Sequence, residues 1–186
     1  MSMELLAAGH LGQPSGYFSP EDHRGAWLEH LEDVLLSLVH IASVDAFQTW
    51  IYTDPHGGEA AARDEAWLRI RRRFESGVDW SGLDVERVAR WYRQLHIFMY
   101  PFYYIEYGIA QLGALQIWRN SLSDPAGAVA RYREALSLGA VRSLPEMYRA
   151  AGAKLTFDAA LIGELVELVE EQIEKIRSEL PAAAAA

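Results

Sequence analysis

Residues 96–118 read HIFMYPFYYIEYGIAQLGALQIW, and this stretch is the most informative part of the chain. It places one imidazole and four phenol hydroxyls around Pro101 and ahead of a helical pattern: His96, Tyr100, Tyr103, Tyr104 and Tyr107. Each of these side chains has a flat apolar ring and a polar tip that needs a partner when it is buried. Five such tips so close together indicate a shared cavity.

The spacing of the tyrosines allows two interpretations. On a helix that begins near Pro101, Tyr103 and Tyr107 lie one turn apart on one face, and Tyr104 lies beside Tyr107. Two hydroxyls can then reach one bound group. Ordinary helix packing, with the hydroxyls at the surface, explains the same spacing. The spacing alone does not establish a site.

The rest of the sequence predicts an all-α fold of about six to eight helices. Ser19 followed by Pro20 and two acids is a strong start signal for a long helix that runs to about Asp54. No segment has the period of a strand. One helical domain is expected over residues 1–180, and residues 181–186 form a low-complexity alanine tail. Further helices are predicted over residues 59–74, 84–95, 102–119, 125–138 and 158–180, with a short one from residue 144.

Composition and charge restrict the class of protein. The chain has 186 residues, 51% of them hydrophobic, and a net charge of −9, which argues against a nucleic-acid partner. Residues 1–12 lack a signal peptide, and residues 105–118, the most apolar stretch, are too short to span a membrane. No cysteine is present, which excludes disulfides and thiol nucleophiles and is compatible with a reducing cytoplasm. We expect a cytoplasmic protein without a membrane partner.

The histidines do not form a metal site. None of the six lies four residues from another, so no helical pair can bind zinc, and the sequence contains no HExxH motif. Glu-x-x-His pairs are also absent, which sets aside a di-iron bundle. His30 and His40 are interpreted as packing residues of an apolar helix. The acidic residues between positions 164 and 174 spread around their helix and are interpreted as a solvated face.

Several segments together resemble the C-terminal part of oligoendopeptidase F and, more distantly, of thimet-type oligopeptidases, zinc enzymes that hydrolyse short peptides. The resemblance runs from Ser2 to about Phe157. It is carried by GYFSPEDHR, VDAFQTWIYTDP, VDWSGL, RQLHIFMYPFYYIEYGIAQLGALQIW and YREALSLGAVRSLPEMYRAAGAK. It implies that the helices form the C-terminal subdomain of a zincin-type oligopeptidase.

The resemblance also implies what lies outside the chain. Enzymes of this type hold zinc on an HExxH helix and on a glutamate farther along, and residues 1–6 resemble the segment just beyond that glutamate. We therefore expect a C-terminal piece whose N-terminal HExxH-bearing part is missing, either because the start is misassigned or because the gene is truncated. Zinc would belong to the complete enzyme, and this chain alone would bind no metal.

In the family, a histidine and tyrosines opposite the metal hold the scissile carbonyl and stabilise the oxyanion. The matching positions are His96, Tyr103 and Tyr107, with Tyr100 and Tyr104 as further matches. The resemblance thus implies that Tyr107 is the first choice of oxyanion donor, with Tyr103 or Tyr104 next, and that His96 positions the substrate backbone. Three aromatic residues would line a cleft for short peptides: Phe98, Tyr100 and Phe102.

Two functions remain open. The chain is either the substrate-binding and oxyanion-stabilising part of a zinc oligoendopeptidase, inactive alone, or a non-catalytic helical domain that binds peptides or has decayed. Zinc content, hydrolysis of an internally quenched peptide and the aggregation state discriminate between them. We expect no zinc, no hydrolysis and self-association, since the face that packs on the HExxH helices would be exposed.

Overall fold

The computed structural model describes residues 1–75 and 77–179, and the regular elements in this part of the chain are all helical. The predicted all-α fold is confirmed. Two 3₁₀ turns, Ala8–His10 and Arg90–Arg93, accompany the α-helices. Residue 180 and the tail of residues 181–186 lie outside the described residues. The α-helices are α1 (Ser2–Ala7), α2 (Pro20–Thr53), α3 (Ala60–Phe74), α4 (Asp84–Ala89), α5 (Leu95–Met99), α6 (Ile105–Ser123), α7 (Pro125–Ser137), α8 (Leu144–Ala150) and α9 (Ala159–Glu179).

Nine α-helices in the described residues exceed the expected six to eight, because α1 and α5 are short and have no side-chain cap that the sequence could reveal. The predicted starts with strong caps are confirmed. The hydroxyl of Ser19 accepts a hydrogen bond from the backbone N–H of Asp22 at 3.1 Å, and Asp124 accepts from Gly127 N–H at 2.9 Å. Ser143 begins α8 with a capping box.

Two predicted helices differ from the structure. The helix expected over residues 84–95 ends at Ala89 and continues as the 3₁₀ turn. The helix expected from Phe102 begins at Ile105, because Phe102 has a φ of 61°, in the left-handed region that a right-handed helix cannot include. Tyr103 and Tyr104 therefore precede the helix that carries Tyr107.

The chain forms two compact units, Met1–Leu35 with the residues from Ile109 onward, and Leu36–Gly108. One domain over residues 1–180 stays a prediction. In the first unit, Ile117, Ala135 and Ala151 form a buried cluster, and Trp27 packs edge-on against Trp118 with ring centroids 5.8 Å apart.

The second unit contains the whole predicted site. Its core is built around Phe47, whose ring lies 5.2 Å from that of Trp67 and 5.3 Å from that of Trp91. Ile97 of α5 belongs to this core, and Tyr104 packs against it. The core therefore holds both ends of the segment that carries the candidate residues.

Helix α2 is long and apolar enough, by length and composition alone, to cross a membrane. Core helices of soluble proteins meet the same criterion. Leu31, Val44 and Phe47 of α2 are fully buried, as in a core helix. The absence of a membrane partner stays a prediction.

Candidate functional site

The site segment consists of α5, a turn over residues 100–104 and the start of α6. The backbone N–H of Tyr100 donates to the carbonyl of His96 at 3.0 Å, and that of Tyr103 donates to the carbonyl of Tyr100 at 3.1 Å. At the centre of the turn, Phe102 adopts its positive φ. A bulky side chain in this region costs about 1–2 kcal/mol, a cost that surrounding contacts must offset. The turn brings the end of α5 back to the start of α6.

His96 lies among the four predicted tyrosines. Its ring centroid is 4.9 Å from that of Tyr104, 5.8 Å from Tyr107, 6.1 Å from Tyr103 and 6.2 Å from Tyr100. The structure thus brings together all five residues that the sequence singled out. We refer to them as the His96 cluster.

Among the four tyrosines of the cluster, Tyr107 has a hydroxyl in polar contact with the histidine. Its hydroxyl oxygen lies 3.5 Å from Nε2 of His96, at the long end of the hydrogen-bonding range. The rings of Tyr103 and Tyr104 lie 5.7 and 5.3 Å from that of Tyr107. Tyr107 is 36% exposed and Tyr103 43% exposed, so both side chains are partly open to solvent.

The other two predicted lining residues lie apart from the histidine. Phe98 stacks on Trp91 with centroids 5.6 Å apart, and Phe102 contacts Tyr52 at 5.1 Å. Among the ring contacts of the described residues, none joins Phe98 or Phe102 to His96. Both side chains are exposed. Their role in lining a cleft, like that of Tyr100, stays a prediction.

Sequence reasoning missed Gln94, which connects two histidines. Its Nε2 lies 3.1 Å from Nδ1 of His96, and its Oε1 lies 3.2 Å from Nε2 of His40. His40, interpreted from the sequence as a packing residue, is half-buried and has hydrogen-bond partners at both ring nitrogens. The only signal for Gln94 in the sequence is its position two residues before His96.

A buried ionic group lies behind His40. Arg71 is 5% exposed, and its Nη1 lies 3.3 Å from Nδ1 of His40 and donates to the hydroxyl of Ser43 at 2.6 Å. Glu75 accepts hydrogen bonds from Arg71 and, at 2.6 Å, from Arg90. The charge of Arg71 is therefore paired, and its guanidinium has a defined position.

Burial and charge both act on the titratable groups. Burial lowers the pKa of His40, and the positive charges of Arg71 and Arg90 act in the same direction, whereas the hydrogen bond with Gln94 opposes them. Burial also raises the pKa of the Tyr104 hydroxyl, while a hydrogen bond with Gln94 works against the shift. Tyr104 is thus held as a neutral, half-buried phenol.

The described residues, 1–75 and 77–179, contain no group of three His, Cys, Asp or Glu side chains that could hold a metal ion. The acidic residues of α9 do not gather into such a group. The donor set of this part of the chain does not fit the zinc that the family resemblance implies. The polar groups of the His96 cluster are one imidazole and four phenol hydroxyls, which form hydrogen bonds.

Comparison with known proteins adds independent observations. The model of peptidase family M3 matches residues 2–167. A structure of PZ peptidase A with an inhibitor is 30% identical, with a TM-score of 0.81, over 94% of this chain and 30% of its own. A crystal structure named for oligoendopeptidase F is 31% identical, with a TM-score of 0.75, over 83% of this chain and 27% of its own. Among curated proteins the comparison found no match.

The chain therefore spans less than a third of the length of these two peptidase structures. The family model covers the site segment, since its match runs from α1 into α9. The resemblance to the C-terminal part of M3-type oligopeptidases is confirmed, and the chain belongs to peptidase family M3.

Proposed function

We propose that this chain is the part of a zinc oligoendopeptidase that binds a short peptide and stabilises the oxyanion formed during hydrolysis. The observation that carries the proposal is the His96 cluster, in which the hydroxyl of Tyr107 lies 3.5 Å from the imidazole and the Tyr107 side chain is partly exposed. Membership in peptidase family M3 supports peptide as the substrate class. The length of the substrate is proposed from the family resemblance.

The chemistry needed from these residues is hydrogen-bond donation. When a peptide carbonyl becomes tetrahedral, its oxygen gains negative charge, so a fixed donor stabilises the transition state more than the bound substrate. A tyrosine hydroxyl keeps its proton near neutral pH and is suited to this task. We assign the oxyanion donor to Tyr107, with Tyr103 next, and the positioning of the substrate backbone to His96.

The water-activating metal and its HExxH glutamate lie outside this chain. The donor set of the described residues does not fit zinc, so we derive no step of the reaction through the metal. On this proposal the chain alone is not a peptidase. It needs the HExxH-bearing part, either in one polypeptide or as a complementing fragment.

The test is Tyr107→Phe in a polypeptide that joins this chain to an HExxH-bearing N-terminal part. Hydrolysis of an internally quenched short peptide should lose about 10²–10³-fold in kcat with little change in KM, because one preorganised donor is removed. Tyr17→Phe is the matched control, since Tyr17 is 96% exposed and lies outside the His96 cluster. An unchanged kcat in Tyr107→Phe would show that Tyr107 is not the donor.

Assays of the purified chain alone distinguish this proposal from the alternative that the chain is an enzyme on its own. Purified without a partner, it should contain no zinc and cleave no quenched peptide, with or without added metal. Metal-dependent cleavage that persists after repeated chromatography and disappears with a chelator would show that it is complete for catalysis. That result would contradict the need for a second part.

A further inference from the structure

Four contacts connect a buried arginine to the proposed oxyanion donor. Nη1 of Arg71 lies 3.3 Å from Nδ1 of His40, whose Nε2 lies 3.2 Å from Oε1 of Gln94. Nε2 of Gln94 lies 3.1 Å from Nδ1 of His96, whose Nε2 lies 3.5 Å from the hydroxyl oxygen of Tyr107. All five residues belong to the unit Leu36–Gly108.

The chemistry of the first residue sets the direction of the hydrogen bonds. A guanidinium can only donate, so Nδ1 of His40 must accept and carries no proton. The single proton of a neutral imidazole is then on Nε2, which donates to Gln94. Burial, which lowers the pKa of His40, favours this neutral form. The amide atom that faces His40 must therefore be the carbonyl oxygen.

The orientation of the Gln94 amide sets the direction of the next two hydrogen bonds. With its oxygen towards His40, Gln94 directs its NH₂ group to Nδ1 of His96, which accepts. His96 then has its proton on Nε2 and donates to the oxygen of Tyr107. Because Tyr107 accepts this bond, its own hydrogen stays available for another acceptor.

We propose that Arg71, acting through His40 and Gln94, sets the tautomer of His96 so that the hydroxyl hydrogen of Tyr107 is free for the substrate oxyanion. The three residues are positioning residues, and this role rests on the proposed function. In the opposite tautomer, Nε2 of His96 would accept the hydrogen of Tyr107 and occupy it. The hydroxyl would then have to break that bond before it could stabilise the oxyanion.

The position of Arg71 makes it a suitable first donor for this series of hydrogen bonds. Its side chain is almost completely buried, and Glu75 and Ser43 accept from its other N–H groups. A guanidinium group does not lose its proton in proteins. The first group in this series of hydrogen bonds is therefore always a donor. A second histidine or a carboxyl group in its place could change between donor and acceptor.

The test is the tautomer of both histidines, read from the ring-nitrogen shifts in long-range ¹H–¹⁵N spectra of the isolated chain at about pH 8, where an ordinary imidazole is neutral. We expect Nε2 to be protonated and Nδ1 to be unprotonated in both His40 and His96. This measurement needs no variant and no peptidase activity. A protonated Nδ1 at His96 overturns the inference.

The variant Gln94→Glu tests whether Gln94 determines the tautomer of His96. A carboxylate only accepts, so it can keep the bond from His40 but forces a proton onto Nδ1 of His96. The spectrum should show that change, whereas Gln172→Glu, the same substitution at a half-buried position of α9, should leave His96 unaltered. A bare Nδ1 at His96 in folded Gln94→Glu contradicts the proposal. If Gln94→Glu does not fold, the wild-type spectrum decides.

Kinetics in the polypeptide joined to an HExxH-bearing part provide the second readout. Gln94→Glu should lower kcat about 10²–10³-fold with little change in KM, as expected when one oxyanion donor is lost. Gln172→Glu should leave kcat unchanged. Failure of the proposed function would appear as an unchanged kcat in Tyr107→Phe, whatever the tautomers. Failure of this inference would appear as the wrong tautomer at His96, even when Tyr107→Phe is impaired.

Discussion

The Nε2 atom of His96 lies 3.5 Å from the hydroxyl oxygen of Tyr107, a residue eleven positions farther along the chain. His96 is on α5 and Tyr107 is on α6, so the contact exists only because the turn at Phe102 reverses the chain. Catalytic hydrogen bonds are often long in free enzymes and shorten when the substrate binds.

Removing the tyrosine hydroxyls one at a time should give a defined order of effects. In the joined polypeptide, we expect kcat to fall most in Tyr107→Phe, less in Tyr103→Phe and least in Tyr104→Phe. Tyr103 is exposed, whereas the hydroxyl of Tyr104 is half-buried and interacts with Gln94. Tyr104→Phe should instead lower the free energy of unfolding by about 1 kcal/mol. Steady-state kinetics and urea unfolding of the same three variants test this order, and a largest kcat loss in Tyr104→Phe would contradict it.

The stability of the chain should depend on pH through His40. Burial and the charge of Arg71 lower its pKa below the ordinary value of 6.5, so below about pH 6.5 the unfolded chain binds more protons at this site than the folded chain. The stabilisation by neutral His40 is complete above pH 6.5 and is lost as the pH falls from 6.5 through the lowered pKa. The melting temperature should therefore decrease over this range. Arg90 and Glu75 also influence the group.

His40→Gln should make the acid-side decrease in melting temperature smaller, because glutamine does not titrate. His56→Gln is a control with the opposite sign. The hydrogen bond to Glu59 raises the pKa of exposed His56. The contribution of His56 to the stability of the fold is therefore present at low pH and lost as the pH rises. Its removal should make the acid-side decrease slightly larger. Identical pH profiles for His40→Gln and the wild type would contradict the prediction.

Two buried glutamines should respond oppositely to the same substitution. Gln48 is fully buried, and neither amide atom has a hydrogen-bond partner among the described residues, so Gln48→Met should raise the free energy of unfolding by about 1–2 kcal/mol. Gln116 is equally buried, but it donates to the carbonyl of Lys154 at 3.0 Å and accepts from the N–H of Lys154 at 2.8 Å. Gln116→Met should lower the free energy by about 1–3 kcal/mol, because it leaves these backbone groups unpaired. Urea midpoints at constant m-value measure both; shifts of the same sign would contradict the argument.

The isolated chain should self-associate through α5. Leu95, Phe98 and Met99 are each more than half exposed within one short helix, which makes an apolar patch. Light scattering after gel filtration should show a concentration-dependent mass that decreases in the double variant Leu95→Gln, Met99→Gln. Val141→Gln is the control, since Val141 is 81% exposed at another position. A monomer at all concentrations would count against a missing part that covers this face.

Some of the fold could be predicted because the determining interactions are local. The caps at Ser19, Asp124 and Ser143 each join residues only three positions apart, so residue type and spacing reveal them. The start of α6 was predicted three residues too early. The left-handed backbone of Phe102 is imposed on a residue that does not favour it, and no local pattern signals such a conformation.

The candidate site also combines features that the local sequence determines with features that depend on the tertiary structure. The amino-acid sequence by itself determined the helical class and placed His96 and the four tyrosines in one short segment, where a short turn can bring them together. Only the tertiary structure joined that segment to Arg71 and His40, because Gln94 and His40 are 54 positions apart and Arg71 and His40 are 31 apart. Contacts at such separations depend on how the helices pack around Phe47, and packing is a property of the folded core rather than of any local pattern.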